Sequence, residues 1–366
     1  MDPVTRALVV LNAAGAVCAE TLDSLAEEDI NPAELVEGGG SLWTEKGIIP
    51  SAQAIMTEWL SNDGPEREMQ QCLKKGVRIV ARGDKEYPTQ LEEIPEPPLV
   101  LYVRGDGFPS RDSVAMVGTR RRTPYGARCA ERVGALLAGT GRCVVSGGAL
   151  GIDGSAHRGC LDGGGKTVAV LGTGIDMVYP ERHRNLFEEI TASGALVSEF
   201  PLGSSGVPWH FPRRNRIIAG LSNRLVVVEA PWKSGAMTTA RFAADAGREI
   251  WAVPGRITES ACRGSNGLIA DGALVLVDEN EFARIVSGRQ MQLFENESTC
   301  VDYAKGLSDG ESRVLAILRE QGDRSVDNIA TESTMSAADI LSALTMLSAN
   351  GLVHSSGGRW SASSLK

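Results

Sequence analysis

The chain has no surplus of positive charge, no C-x-x-C pair and no long apolar run, and each absence removes a class of function. Its formal net charge is −9. A duplex-binding protein usually shows a broad basic footprint that displaces counterions from the phosphate chain, so any nucleic-acid contact here has to be local. Seven cysteines, an odd number without C-x-x-C spacing, argue against a disulfide framework and against a zinc site of the usual kind. No metal and no cofactor are expected, and a reducing cytosol is the natural compartment. No charged-then-apolar signal opens the chain, and no apolar run approaches the roughly 18 residues that a membrane span needs. A cytoplasmic protein with no membrane partner is the expectation. The length of 366 residues and a hydrophobic content of 42% allow two or three domains with a large core.

Charge becomes informative when it is read locally. Arg111, Arg120, Arg121, Arg122 and Arg128 face only Asp112 within their stretch, five minus one, or +4. Between Phe211 and Ser222 the chain reads FPRRNRIIAGLS, with Arg213, Arg214, Asn215 and Arg216 in succession and no acid in the segment. Something outside the segment meets that charge. Phosphate oxygens fit, because a guanidinium presents a planar fork of donors that matches them bidentately; carboxylates elsewhere in the chain are the plainer alternative. A local basic cleft on an acidic body would also limit indiscriminate sticking to duplex DNA.

Periodicity divides the chain into four segments. Residues 1–65 show helical spacing of apolar residues and form a small helical domain. Residues 66–288 alternate helical stretches with nine apolar runs: VRIV, PLVLYV, SVAMVG, CVVS, TVAVLG, ALVSE, RLVVVEA, EIWAVPG and ALVLVD. Runs without period-2 alternation indicate strands buried on both faces, so the fold class is α/β, a doubly wound and mostly parallel sheet. Ligands of such sheets bind beyond the carboxyl ends of the strands, where the loops here are rich in Gly, Arg and Ser. Residues 289–306 read as a linker. Residues 307–366 read as three helices and a hairpin, a winged helix. Its third helix, from Ser336 to Asn350, has no Lys or Arg and does contain Asp339, so it suits an interaction or regulatory role better than reading of the major groove.

The loops of the central segment carry the candidate site. After VAMVG, the Gly118-Thr119 turn presents Arg120 over the carboxyl edge of the sheet, with Arg121 and Arg122 beside it facing solvent and Tyr125 packed at the helix entry. In SGGALGIDGSAH, Ser146, Gly147, Gly148 and Gly151 form a plausible phosphate cradle at a helix start, where the dipole alone contributes about 0.3–1 kcal/mol. Asp153 is read as a helix cap or as a partner of a neighbouring loop. A Ser146–His157–Asp153 hydrolase is disfavoured because Val144 stands where a nucleophile elbow has glycine. GGGKT at Gly163–Thr167 precedes a strand and lacks the first glycine of a P-loop. GTGIDM has Met177 in place of the third glycine of a dinucleotide fingerprint, so NAD is not expected; its Gly172 and Gly174 amides still offer phosphate or sugar contacts, near Arg182 and Arg184. In VVVEAPWKSGAMTTAR, Glu229 ends a buried strand and Ser234-Gly235 opens a helix that completes the cleft, with Lys233 adding charge.

Taken together, VAMVGTRRRTPYG, VVSGGALGIDGSAH, TVAVLGTGIDMVYP, FPRRNRIIAGLS, VVVEAPWKSGAMTTARFAADAGREIWAVPG and GSNGLIADGA resemble the DNA-processing protein A family, DprA, also called Smf. The resemblance runs from Tyr87-Pro88 to about Asp278. It implies an extended Rossmann-like core between a helical SAM-like domain and a winged helix. It also implies a protein that binds single-stranded DNA, protects it after uptake and helps load the RecA recombinase in natural transformation, with no reaction and no catalytic residue. Carried over by residue, the DNA groove would use Arg120, the Ser146-Gly147-Gly148 loop, and Phe211 with Arg213, Asn215 and Arg216. Phe211 would be a stacking platform contributing about 1–3 kcal/mol per base. A homodimer is implied through GSNGLIADGALVLV, with Ile269 and Val275 as candidate contacts and core packing as the alternative for both. Glu181 stands where some relatives have lysine after the Y-P motif. The competing class is a nucleotide-acting, phosphoribohydrolase-like Rossmann enzyme; its loop needs a glutamate, whereas SGAMTTAR here has none and ends in Arg241. A winged-helix transcription regulator with a sensor core is a third class, weakened by the uncharged reading helix.

Overall fold

The computed structural model describes residues 2–288, 307–322, 324–333, 335–349, 352–356 and 359–362. They fall into two compact units, Met1–Gln290 and Met291–Lys366. The expected linker, 289–306, lies outside the described residues.

The first unit opens with six helices: α1 (Pro3–Ala14), α2 (Ala19–Glu27), α3 (Pro32–Glu37), α4 (Gly39–Glu45), α5 (Pro50–Ser61) and α6 (Gly64–Lys74). Proline stands in the first turn of four of them, where its missing N–H would have no partner anyway. Asp2 caps α1 by accepting from the Val4 and Thr5 amides, and Asn31 with Glu34 forms a capping box on α3. The helical segment thus runs on to Lys74, beyond residue 65, and it packs directly on the sheet. One apolar cluster contains Leu11, Leu35 and Met56 together with Tyr102, Leu171 and Leu196. Polar contacts tie the same parts: Asn12 Nδ2 donates to the Glu199 carbonyl at 2.9 Å, and the Leu202 amide donates to the Glu68 carboxylate at 2.7 Å.

The α/β part follows as β1 (Arg78–Ala81), β2 (Val100–Gly105), β3 (Val114–Val117), α7 (Pro124–Gly139), β4 (Val144–Ser146), α8 (Ile152–Asp162), β5 (Thr167–Leu171), α9 (Arg184–Ser193) and β6 (Ala195–Ser198). It continues with α10 (His210–Gly220), β7 (Arg224–Val227), α11 (Gly235–Asp245), β8 (Glu249–Ala252), α12 (Arg263–Ala270), β9 (Leu274–Val275) and α13 (Glu279–Val286). All nine apolar runs are strands of one sheet, in the order β1-β2-β6-β5-β4-β3-β7-β8-β9. From β6 to β9 neighbouring strands are parallel, and β3, β4, β5 and β6 are buried along their whole length, which is why their sequences do not alternate. β1 and β2 add an antiparallel edge next to β6. The chain winds outward from β3 in one direction through β4, β5 and β6, then returns to lay β7, β8 and β9 on the other side. The order therefore reverses between β3 and β7, the place where such sheets open a crevice for a ligand.

The second unit contains α14 (Asp309–Gln321), α15 (Val326–Ser333), α16 (Ala337–Ala349) and the antiparallel hairpin β10 (Val353–Ser356) with β11 (Arg359–Ala362). Val314, Leu318, Ile329, Ile340, Leu344 and Val353 form its core. Three helices and a hairpin were the sequence expectation for this segment. Among the described residues no helix is long and apolar enough to cross a membrane.

Candidate nucleic-acid interface

A cleft of about 510 Å³ opens at the carboxyl ends of β3 and β7, at the reversal point of the sheet. Gly118, Thr119 and Arg120 line it from the end of β3; Phe211, Arg214 and Asn215 line it from α10; Ser234 and Gly235 line it from the start of α11. Three segments that are distant in sequence thus meet in one concavity.

Arg120 is exposed and has no carboxylate partner among the described residues. Its guanidinium carbon lies 5.4 Å from the centre of the Phe211 ring, within cation–π range. Phe211 in turn lies 5.5 Å from the Tyr179 ring, tilted by 47°, and Tyr179 is half exposed. The Phe211 ring rests against Gly172, where a Cβ would come within 2.8 Å of it. Glycine is needed there because the ring occupies the space. Gly172 and Gly174 therefore shape the wall; the Gly174 amide is already bonded to the Ser204 carbonyl at 2.9 Å. At the far side, Ser234 precedes α11 without capping it, and its Oγ is shielded from solvent with no hydrogen-bond partner. Asn215 Nδ2 donates to the Gly235 carbonyl at 3.2 Å, which ties α10 to that turn.

The arginine cluster divides its labour. Arg216 is buried and bidentate to buried Glu199, at 2.7 and 3.1 Å, and its Nε donates to the Glu96 carbonyl at 2.8 Å. Arg213 Nε lies 3.4 Å from the same carboxylate without hydrogen-bond alignment. These two do not line the cleft, and the carboxylate reading of their charge is the one the structure supports. Arg214 does line it but is buried, donating to the carbonyls of Gly147, at 2.6 Å, and Val170. Burial works against its charged form, and nearby Asp153 supports it. Arg111, counted among the local positive charges, pairs with Glu93 at 2.7 Å away from the cleft.

The glycine loop after β4 is occupied by the chain itself. Asp153, in the first turn of α8, accepts hydrogen bonds from the amides of Gly147 and Ala149, the latter at 3.4 Å. A Cβ on Gly147 would meet the Asp153 carboxylate at 2.7 Å and Arg214 at 2.8 Å. The expected phosphate cradle is therefore already filled by an internal carboxyl group at the start of α8. Burial raises the Asp153 pKa while Arg214 opposes the shift. Ser146 is fully buried with its hydroxyl donating to the Met116 carbonyl at 2.6 Å, and the Gly148 carbonyl meets His183 Nδ1 at 2.9 Å. Gly151 packs against the Thr119 and Arg120 backbone. His157 is buried against Thr167 at 2.7 Å and shares no hydrogen bond with Ser146 or Asp153, so no triad is assembled.

Sequence reasoning missed Tyr179 and misjudged Tyr125. An aromatic directly before Pro180, in a loop beyond a strand's carboxyl end, was the available signal for the first. Tyr125 is 43% exposed, with its hydroxyl donating to the Pro254 carbonyl at 2.9 Å, and is not packed as expected. Arg121 and Arg122 are exposed beside the cleft. Of the residues expected at a dimer contact, Val275 is exposed on edge strand β9 and Ile269 is half-buried on α12.

Comparison with known proteins gives a consistent picture. Residues 78–287 match the model of DNA recombination-mediator protein A, and residues 302–359 match that of the DprA winged helix domain. The chain is 35% identical to Protein Smf of Synechocystis over 327 residues, covering 80% of this chain and 82% of that one. It is 34% identical to the DNA processing protein DprA of Bacillus subtilis over 224 residues, 61% of this chain and 75% of that one. Among solved structures, Streptococcus pneumoniae DNA processing protein A superposes with a TM-score of 0.65 at 30% identity, covering 77% of this chain and 96% of that chain. The Helicobacter pylori protein, described for its single-stranded DNA binding mode, gives 0.52 at 29% identity, covering 57% and 95%. With its sheet, its flanking units and these matches in agreement, the chain belongs to the DNA recombination-mediator protein A family, known as DprA or Smf.

Proposed function

We propose that this protein binds single-stranded DNA in the cleft between β3 and β7, protects it, and helps load the RecA recombinase in natural transformation and recombination. The Arg120–Phe211 pair is the observation that carries this reading. An unpaired base can lie on an aromatic face, a contact worth about 1–3 kcal/mol in any sequence, while the adjacent guanidinium meets a phosphate. Tyr179 offers a second ring, and the unpartnered Ser234 hydroxyl offers a donor that costs free energy while it stays unmatched. Duplex hides its base faces, and the acidic body of the chain repels it elsewhere. The binding mode described for the Helicobacter pylori relative supports the same reading.

RecA loading and a cytoplasmic location belong to the same reading, and family membership supports them. A homodimer is part of the reading, with Val275 on edge strand β9 and neighbouring Val277, 73% exposed, as apolar surface that a second copy would cover and Ile269 on α12 as a further candidate contact. No reaction belongs to it. The Ser234–Arg241 loop has no carboxylate to assist glycosidic cleavage, which weighs against the phosphoribohydrolase alternative.

Binding of oligo-dT and of duplex of equal length tests the proposal. Tighter retention of oligo-dT, falling steeply with salt and weakened by Arg120→Ala, is the expected result. Equal retention of duplex, or release of base from nucleoside monophosphates, would overturn it.

A further inference from the structure

We propose that the bound strand leaves the first cleft across Arg121 and Arg122 and enters a second cleft, of about 630 Å³, where Tyr125, Arg128 and Arg256 hold a further nucleotide. This extends the single-strand reading and rests on it. The two clefts lie on either side of the connection between β3 and α7: Gly118–Arg120 line the first, and Thr123–Tyr125 line the second.

The distribution of unpaired arginines points there. Outside this rim and the first cleft, the described arginines of the Met1–Gln290 unit sit within ion-pair distance of carboxylates, except Arg67, Arg104, Arg182 and Arg284, which are scattered along the sequence. Arg121, Arg122, Arg128, Arg256 and Arg263 are all exposed and have no such partner among the described residues. Gathering like charges on one edge of a chain with net charge −9 is unfavourable unless a polyanion neutralises them. Glu259 is the exposed carboxylate on the cleft lining, outnumbered by Arg128 and Arg256. Glu229 also lines it, but its carboxylate is taken by the Thr123 amide at 3.0 Å and hydroxyl at 2.5 Å.

The second cleft is also built firmly. Asn266 clamps the Gly255 amide and carbonyl, both at 3.0 Å, and so fixes the backbone that carries Arg256. Tyr125 is anchored through its hydroxyl to Pro254 while 43% of the residue stays open to solvent, which leaves ring surface for a base. An anchored aromatic and two guanidiniums lining one cleft are the elements that single-strand grooves combine.

Fluorescence anisotropy on the full chain, with oligo-dT of about 6 and about 20 nucleotides, separates the two clefts, since single-strand sites span about 4–16 nucleotides. The Arg128→Ala/Arg256→Ala variant should bind the short oligonucleotide as the parent does. On the long one it should lose about tenfold, with a salt slope reduced by about 1.4 for two phosphates. Parent-like affinity and slope on the long oligonucleotide would overturn the extension, as would equal losses on both lengths. Failure of the underlying reading looks different: Arg120→Ala would then leave binding of the short oligonucleotide unchanged.

Discussion

Arg120, on the loop that follows β3, and Phe211, in the first turn of α10, meet with the guanidinium carbon 5.4 Å from the ring centre at the cleft. Replacing Phe211 by Leu keeps apolar bulk against Gly172 but removes the stacking face. We expect a loss of about 1–3 kcal/mol in oligo-dT affinity, with the urea midpoint nearly unchanged. Affinity equal to that of the parent would count against the ring as a platform.

We expect Arg216 to act through the fold. Its pair with Glu199 is buried on both sides, and removing one member leaves an uncompensated buried charge, a cost of about 3–5 kcal/mol. Arg216→Ala should therefore unfold at much lower urea, whereas Arg213→Ala, partly exposed and poorly aligned on the same carboxylate, should lose under about 1 kcal/mol. Wild-type stability of Arg216→Ala together with lost DNA binding would reverse this assignment.

Asp153 fills the loop that would otherwise greet a phosphate. Asp153→Ala frees the Gly147 and Ala149 amides and deprives Arg214 of the nearby carboxylate that supports its charge. The variant should melt at a lower temperature, and added inorganic phosphate should raise its Tm more than that of the parent. Identical phosphate responses would mean that the loop is closed to anions even without Asp153.

His157 makes stability depend on pH. Its Nδ1 meets Thr167, its Nε2 is buried without a partner, and burial first of all holds its pKa down at about 3, against an ordinary 6.5. Below pH 6.5 the unfolded chain takes up a proton that the folded chain refuses, so this contribution is complete above pH 6.5 and is lost as pH falls toward 3. Between pH 6.5 and 5 it amounts to about 2 kcal/mol. Urea titrations at pH 7.5 and 5.0 should show a smaller pH effect in His157→Leu than in the parent; equal effects would contradict it.

The strands were legible because each is an apolar run bounded by Gly, Pro or charge, as in TVAVLG and RLVVVEA. That β1 and β2 run antiparallel beside β6 was not, since strand order depends on pairings between distant segments. The site was legible in part for the same reason. Gly118–Arg120, Phe211 and Ser234-Gly235 sit directly at strand or helix ends, where position along the chain fixes position on the rim. The fate of Arg216 depended on Glu199, which follows β6 and looks in sequence like any other acid. Asp153 was recognised as a loop partner, but nothing in SGGALGID announces that its carboxylate turns back onto the amides that precede it.

Photocrosslinking of 4-thiothymidine-substituted oligo-dT, with the adducts mapped by mass spectrometry, tests the central claim most directly. The account predicts adducts on the peptides that carry Arg120, Tyr179 and Phe211, suppressed by excess unlabelled single strand and little affected by duplex. Adducts confined to the Met291–Lys366 unit, or spread evenly over the surface, would contradict it.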